Sequence, residues 1–197
     1  MKNAKPSLGI LQYNAPVTLT FVLISFSVVL LGYLTKGIST RLFFCTYRSP
    51  FTNPLTYIRL FTHVLGHADW SHYASNMVLF LVLGPLLEEK YGSVSLLKMI
   101  AITAVISGLI YMIFFPNSAL LGASGIVFMM IVLSSVAGMQ NGKIPLTLIL
   151  VVIIYLGGEI TDSLKVTDGI AHLAHIAGGF CGAGFGFIMV KQKTGRR

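Results

Sequence analysis

Between Val17 and Thr35 the chain reads VTLTFVLISFSVVLLGYLT, a run without one charged side chain. In hydrocarbon every backbone N–H and C=O must be satisfied within the segment, so a run of this kind spans as a helix; roughly 20 apolar residues suffice. Five further candidates follow at about 71–88, 94–115, 123–139, 145–160 and 170–190. The second, fourth and fifth are short or carry polar residues. Gly92-Ser93, Pro116-Asn117 and Asn141-Gly142-Lys143 with Pro145 punctuate the series. The composition agrees: 55% hydrophobic and 10% charged residues, against about 25% charged in a soluble domain. The expectation is an all-α integral membrane protein, one six-helix domain over residues 1–197. A short N-terminal tail (about 1–16) and a basic C-terminal tail (about 191–197) flank it. No cleavable signal pattern precedes the first helix.

The net charge of +8 does not point to nucleic acid. The basic residues sit mostly in tails and short loops, where membrane topology and anionic headgroups account for them. Their bias puts both termini on the cytoplasmic side. Short loops point to a prokaryotic plasma membrane. The first outer loop, about 36–62, carries much of the opposing positive charge and the aromatics Phe43, Phe44, Tyr47, Phe51 and Tyr57. Such a segment suits the interface. Cys45 lies in that loop and Cys181 in an apolar run, so no disulfide framework is expected.

Polar groups at membrane depth are costly and mark functional sites by default. All five histidines fall in two stretches: THVLGHADWSHYASNM, holding His63, His67, His72 and Asn76, and AHLAHIAGG, holding His172 and His175. Ser124 stands in ALLGASGIVF, between glycines. In the orientation above, the second, fourth and sixth helices all start on the outer side. His72 and Asn76, four apart, share a face near one start. Ser124 sits at another and His175 about a turn or more below the third. Topology therefore brings Ser124, His175, His72 and Asn76 to similar depth.

A serine beside a histidine can be a nucleophile with its general base. The tetrahedral oxyanion then needs donors. Asn76, His72 and the backbone N–H of Ser124, unpaired at a helix start, can supply them. Asp168 is about two turns from His175, so a dyad rather than a triad is expected. Gly122 and Gly125 allow a tight turn around the serine. Gly178, Gly182 and Gly186 recur every four residues after His175, a seam that lets membrane helices approach.

These residues resemble the rhomboid family of intramembrane serine proteases in motif, order and spacing. Gly122-Ala123-Ser124-Gly125 resembles the family's Gly-x-Ser-Gly, whose serine is the nucleophile. Ala174-His175-Ile176-Ala177-Gly178 resembles Ala-His-x-x-Gly, whose histidine is the base. His72-Tyr73-Ala74-Ser75-Asn76 resembles His-x-x-x-Asn, which supports the oxyanion. The run from Arg59 to Asn76, with His63 and His67, is similar to the family's approach to helix two, and Glu88-Glu89-Lys90-Tyr91-Gly92 to its Glu-x-x-x-Gly step. The resemblance implies a six-helix bundle with a short fourth helix and a water-filled cavity open outward. It implies no cofactor and no metal. The substrates it implies are membrane proteins, single-span ones foremost, cut in or near their spanning helix. The chain departs from the family in carrying Ile58-Arg59 where Trp-Arg is frequent. It also has Phe128 where a tyrosine often stacks on the catalytic histidine; a phenyl ring can still stack.

Two other functions fit parts of the pattern. His63-x-x-x-His67 and His172-x-x-His175 have the spacing of imidazole ligands, which would suit a metal-dependent membrane hydrolase or a transporter. Against it stand the missing His-Glu-x-x-His and the scarcity of intramembrane carboxylates. A non-catalytic binder of membrane proteins is the other, and intact Ser124 and His175 argue against that. His63 and His67 are expected to shape the first loop or bond its backbone, and His172 to line the cavity mouth.

Overall fold

The computed structural model describes residues 12–136, 143, 146–151, 153 and 170–194. Helix α1 (Pro16–Leu34) is followed by a short α2 (Ile38–Phe43), a two-residue strand β1 (Thr46–Tyr47), and α3 (Pro54–Thr62), which leads into a 3-10 turn (His63–Leu65). Then come α4 (Trp70–Tyr91), α5 (Ser93–Phe114), strand β2 (Ala119–Leu120), α6 (Ser124–Val136), α7 (Leu146–Val151) and α8 (Ile170–Thr194). Three described helices are long and apolar enough to cross a membrane: Pro16–Leu34, Ser93–Phe114 and, within α8, His172–Met189. Most of the expected fifth helix, both chain ends and Asp168 lie outside the described residues.

The packing is that of a lipid-facing bundle. Helix α6 is apolar on every side, and Ile126, Met129, Met130 and Leu133 are fully buried, as befits a helix enclosed by others. Phe80, Leu87, Leu96 and Met99 close on it from α4 and α5. The outer faces carry exposed Leu23, Val78, Val82, Leu86, Ile113, Phe180 and Phe187. In water such a rim would aggregate; in hydrocarbon it costs nothing.

One end of the bundle is tied by Glu88. Pro16 starts α1, which has no side-chain cap of its own. Instead the Glu88 carboxylate, near the end of α4, accepts from Val17 N (2.9 Å), Thr18 N (3.0 Å), Thr18 Oγ1 (2.8 Å) and Ser93 Oγ (2.7 Å). An anion at a helix N-terminus meets orphan donors and the favourable end of the dipole. Three helices thus share one buried carboxylate.

The first loop is built, not loose. Asn53 caps α3 by accepting from Leu55 N at 3.0 Å. Arg59, 3% exposed, donates Nε–H to the Leu42 carbonyl at 2.8 Å and lays its guanidinium 4.4 Å from the Tyr47 ring centre. The arginine therefore anchors the loop with Ile58 in place of tryptophan. Strand β1 pairs antiparallel with β2, Thr46 opposite Leu120 and Tyr47 opposite Ala119, which joins this loop to the segment leading into α6.

Candidate active site

Helices α4, α6 and α8 begin at the same end of the bundle, opposite Glu88. Ser124 is the first residue of α6 and partly exposed. Phe128 follows one turn down. The His175 imidazole, on α8, stacks on the Phe128 ring with centroids 4.4 Å apart and planes 4° from parallel. His172 meets His175 edge to face at 6.5 Å.

Glycines set the spacing of α6 and α8. A Cβ on Gly125 would lie 3.2 Å from the Ala174 carbonyl oxygen, and one on Gly178 would collide with the Gly125 carbonyl. Further along, Gly182 abuts the Met129 carbonyl and Gly186 the Val136 side chain. The two helices run parallel in backbone contact, and the residue before His175 touches the residue after Ser124.

His72 and Asn76 reach the same place from α4. Asp69 caps this helix, accepting from His72 N at 2.8 Å. Gly122 has φ +119, and a Cβ there would stand 2.8 Å from both Cε1 and Nε2 of His72 and 3.9 Å from Asn76 Nδ2. Only glycine combines that backbone conformation with that gap. His72 Nδ1 accepts from Ala68 N at 3.5 Å, so in the neutral ring Nε2 carries the proton, on the side of Gly122. Asn76 is 6% exposed, and its Nδ2 has no hydrogen-bond partner among the described residues. A buried amide donor left unpaired costs stability unless something else uses it.

Two histidines hold the segment before the serine. The Gly122 N–H donates to the His63 carbonyl (3.0 Å), and the Ala123 N–H to His67 Nε2 (3.4 Å). His63 Nδ1 in turn donates to the Arg59 carbonyl at 3.0 Å. Burial pushes the pKa of His63 to about 4; for His67, burial and then the neighbouring His72 do the same. Both rings are neutral near pH 7. The expectation that these histidines bond backbone thus extends beyond the first loop to the turn before Ser124. Nothing in their spacing points there, because the bond bridges 56 positions. Among the described residues no three His, Cys, Asp or Glu side chains gather as a metal site.

The chemistry available at this end of the bundle is a hydroxyl at a helix start, a ring-stacked imidazole on the adjoining helix, and amide and imidazole donors facing the turn between them. A family model described as a Rhomboid domain matches residues 54–192. The chain is similar to "Rhomboid-like protein 11, chloroplastic" of Arabidopsis thaliana, 24% identical over 144 residues, covering 66% of this chain and 51% of the relative. It is also similar to "Rhomboid-related protein 1" of Caenorhabditis elegans, 31% identical over 143 residues, covering 67% of this chain and 40% of the relative. The chain thus spans about half the length of these curated relatives, or less.

Proposed function

The chain belongs to the rhomboid family, and from that premise we propose that it is an intramembrane serine endopeptidase working through a Ser124–His175 dyad. Ser124 Oγ attacks the scissile carbonyl while His175 takes its proton. The histidine returns that proton to the leaving amine as the acyl-enzyme forms. Water entering from the open end of the bundle, activated by His175, then hydrolyses the ester. Asn76 Nδ2, His72 Nε2–H and the Ser124 N–H stabilise the oxyanion. The substrates are membrane-anchored proteins cut in or near a spanning helix. The domain is a six-helix bundle in the bilayer, with the site on the side opposite the termini.

The observation that carries the reading is Asn76: a buried amide donor, unpaired among the described residues, beside the glycine turn that leads to Ser124. A purely structural asparagine would be expected to satisfy that group within the protein.

The test needs no known substrate. Wild type, Ser124→Ala and His175→Ala, purified in mild detergent, are reacted with a fluorophosphonate. Labelling that vanishes in the first variant and falls sharply in the second supports the dyad. A folded wild type that takes no label would turn the reading toward a non-catalytic binder of membrane proteins.

A further inference from the structure

We propose that His67 is a positioning residue for Ser124: as a neutral hydrogen-bond acceptor for the Ala123 N–H, it pins Ala123, the residue from which the nucleophile is presented. The inference rests on the serine-protease reading above.

Ala123 is held at both of its backbone groups. Its N–H donates to His67 Nε2 at 3.4 Å, and its carbonyl accepts from Val127 N at 2.9 Å, opening α6. That carbonyl and the Ser124 N–H belong to one planar peptide unit. Fixing Ala123 therefore fixes the direction of an oxyanion donor and the starting point of the Ser124 side chain. Both ring nitrogens of His67 bond backbone groups, Nδ1 the Leu65 carbonyl and Nε2 the Ala123 N–H, so it acts through Ala123 and not on substrate.

The bond requires one protonation state. His67 Nδ1 lies 3.2 Å from the Leu65 carbonyl, which can only accept, so Nδ1 carries the proton. Nε2 faces an N–H, so it must be bare. Only the neutral Nδ1–H tautomer satisfies both sides. An imidazolium would set donor against donor and release Ala123.

The surroundings keep the ring neutral. His67 is 4% exposed. The titratable groups facing it come from α4 and its cap: His72 edge to face at 5.0 Å, Tyr73 at 5.6 Å, and Asp69. Residues 119–123 bring no charged side chain, and His175 of α8 acts electrostatically on His72, not on His67. Burial and His72 lower the pKa to about 4; the Leu65 carbonyl and Asp69 oppose them and lose.

The experiment measures the rate of Ser124 labelling by a fluorophosphonate for wild type, His67→Gln and His67→Leu in mild detergent, with Ser124→Ala as blank. A glutamine can offer its carbonyl oxygen to Ala123 and does not titrate; leucine offers nothing. His67→Leu should lower the maximal rate by about tenfold or more, as for a displaced oxyanion donor, with little change in the half-saturating probe concentration. His67→Gln should recover most of that loss. On the acid side, where His63 also titrates near 4, the wild-type rate should fall one proton more steeply than the His67→Gln rate as the pH passes through about 4. Leucine and glutamine variants that both label like wild type would overturn the inference. So would an acid limb as steep in His67→Gln as in wild type, which decides the matter alone if the leucine variant does not fold. A folded wild type unlabelled at Ser124 overturns the protease reading and this inference together; labelled wild type with indifferent His67 variants overturns the inference only.

Discussion

The imidazole of His175 lies face to face with the phenyl ring of Phe128, 4.4 Å between centroids and 4° from parallel. The ring carried by α6 thus orients the imidazole carried by α8, and Ser124 stands one turn above that ring. Stacking of this kind contributes about 0.5–1.5 kcal/mol, enough to favour one ring orientation. Phe128→Ala should lower Ser124 labelling between about 10- and 100-fold, since small misplacements of reacting groups cost that much. Phe128→Tyr should keep most of the rate. A wild-type rate in the alanine variant would show the stack to be idle.

Asn76→Ala separates function from stability. Nδ2 has no partner among the described residues, so its removal relieves an unpaired buried donor. Turnover should fall about 10- to 1000-fold while thermal stability in detergent holds or rises. A large loss of stability with labelling unchanged would make Asn76 a structural residue.

Gly178→Ala tests the contact between α6 and α8. Its Cβ would collide with the Gly125 carbonyl, which belongs to a backbone and cannot swing aside. Overpacking of this sort costs about 1–3 kcal/mol. Denaturant titration in mixed micelles should register it, and labelling of the folded fraction should fall as His175 moves from Ser124. Gly184→Ala, with nothing within 4 Å of its Cβ position, should leave both unchanged.

Acid should destabilise the fold through His63 and His67. Both pKa values are pushed by burial from 6.5 to about 4. Between pH 6.5 and 4 the unfolded chain therefore binds more protons than the folded one, and stability falls as pH falls. The loss is on the order of 3 kcal/mol for each histidine across the window, and it levels off below about pH 4. Unfolding titrations at pH 7 and pH 5 measure it. Equal stability at the two values would mean that neither histidine is buried neutral.

Much of the architecture is legible in residue order. Helices expected at about 17–35, 71–88 and 94–115 correspond to Pro16–Leu34, Trp70–Tyr91 and Ser93–Phe114; the cuts fall at Gly92 and Pro116, where glycine and proline interrupt the runs. The expected 123–139 helix is described over Ser124–Val136. Loop 36–62 is less legible. Its aromatics suggest an interfacial segment, yet nothing in them predicts two short helices or a strand paired with Ala119–Leu120. A two-residue strand has too few positions to show an alternating pattern.

Residue order is enough to specify a bundle of membrane helices. In hydrocarbon the backbone can satisfy itself within a segment only as a helix, so apolar runs and their breaks suffice. Helix order then put the starts of α4, α6 and α8 at one end, and with them His72, Asn76, Ser124 and His175. Which donor meets which acceptor is set by packing. Glu88 collects donors from the starts of α1 and α5, Arg59 finds the Leu42 carbonyl, and His67 takes the Ala123 N–H. These are long-range choices among chemically equivalent donors and acceptors. They are settled by distances of a few tenths of an ångström once the helices have packed, and no local pattern in the sequence encodes them.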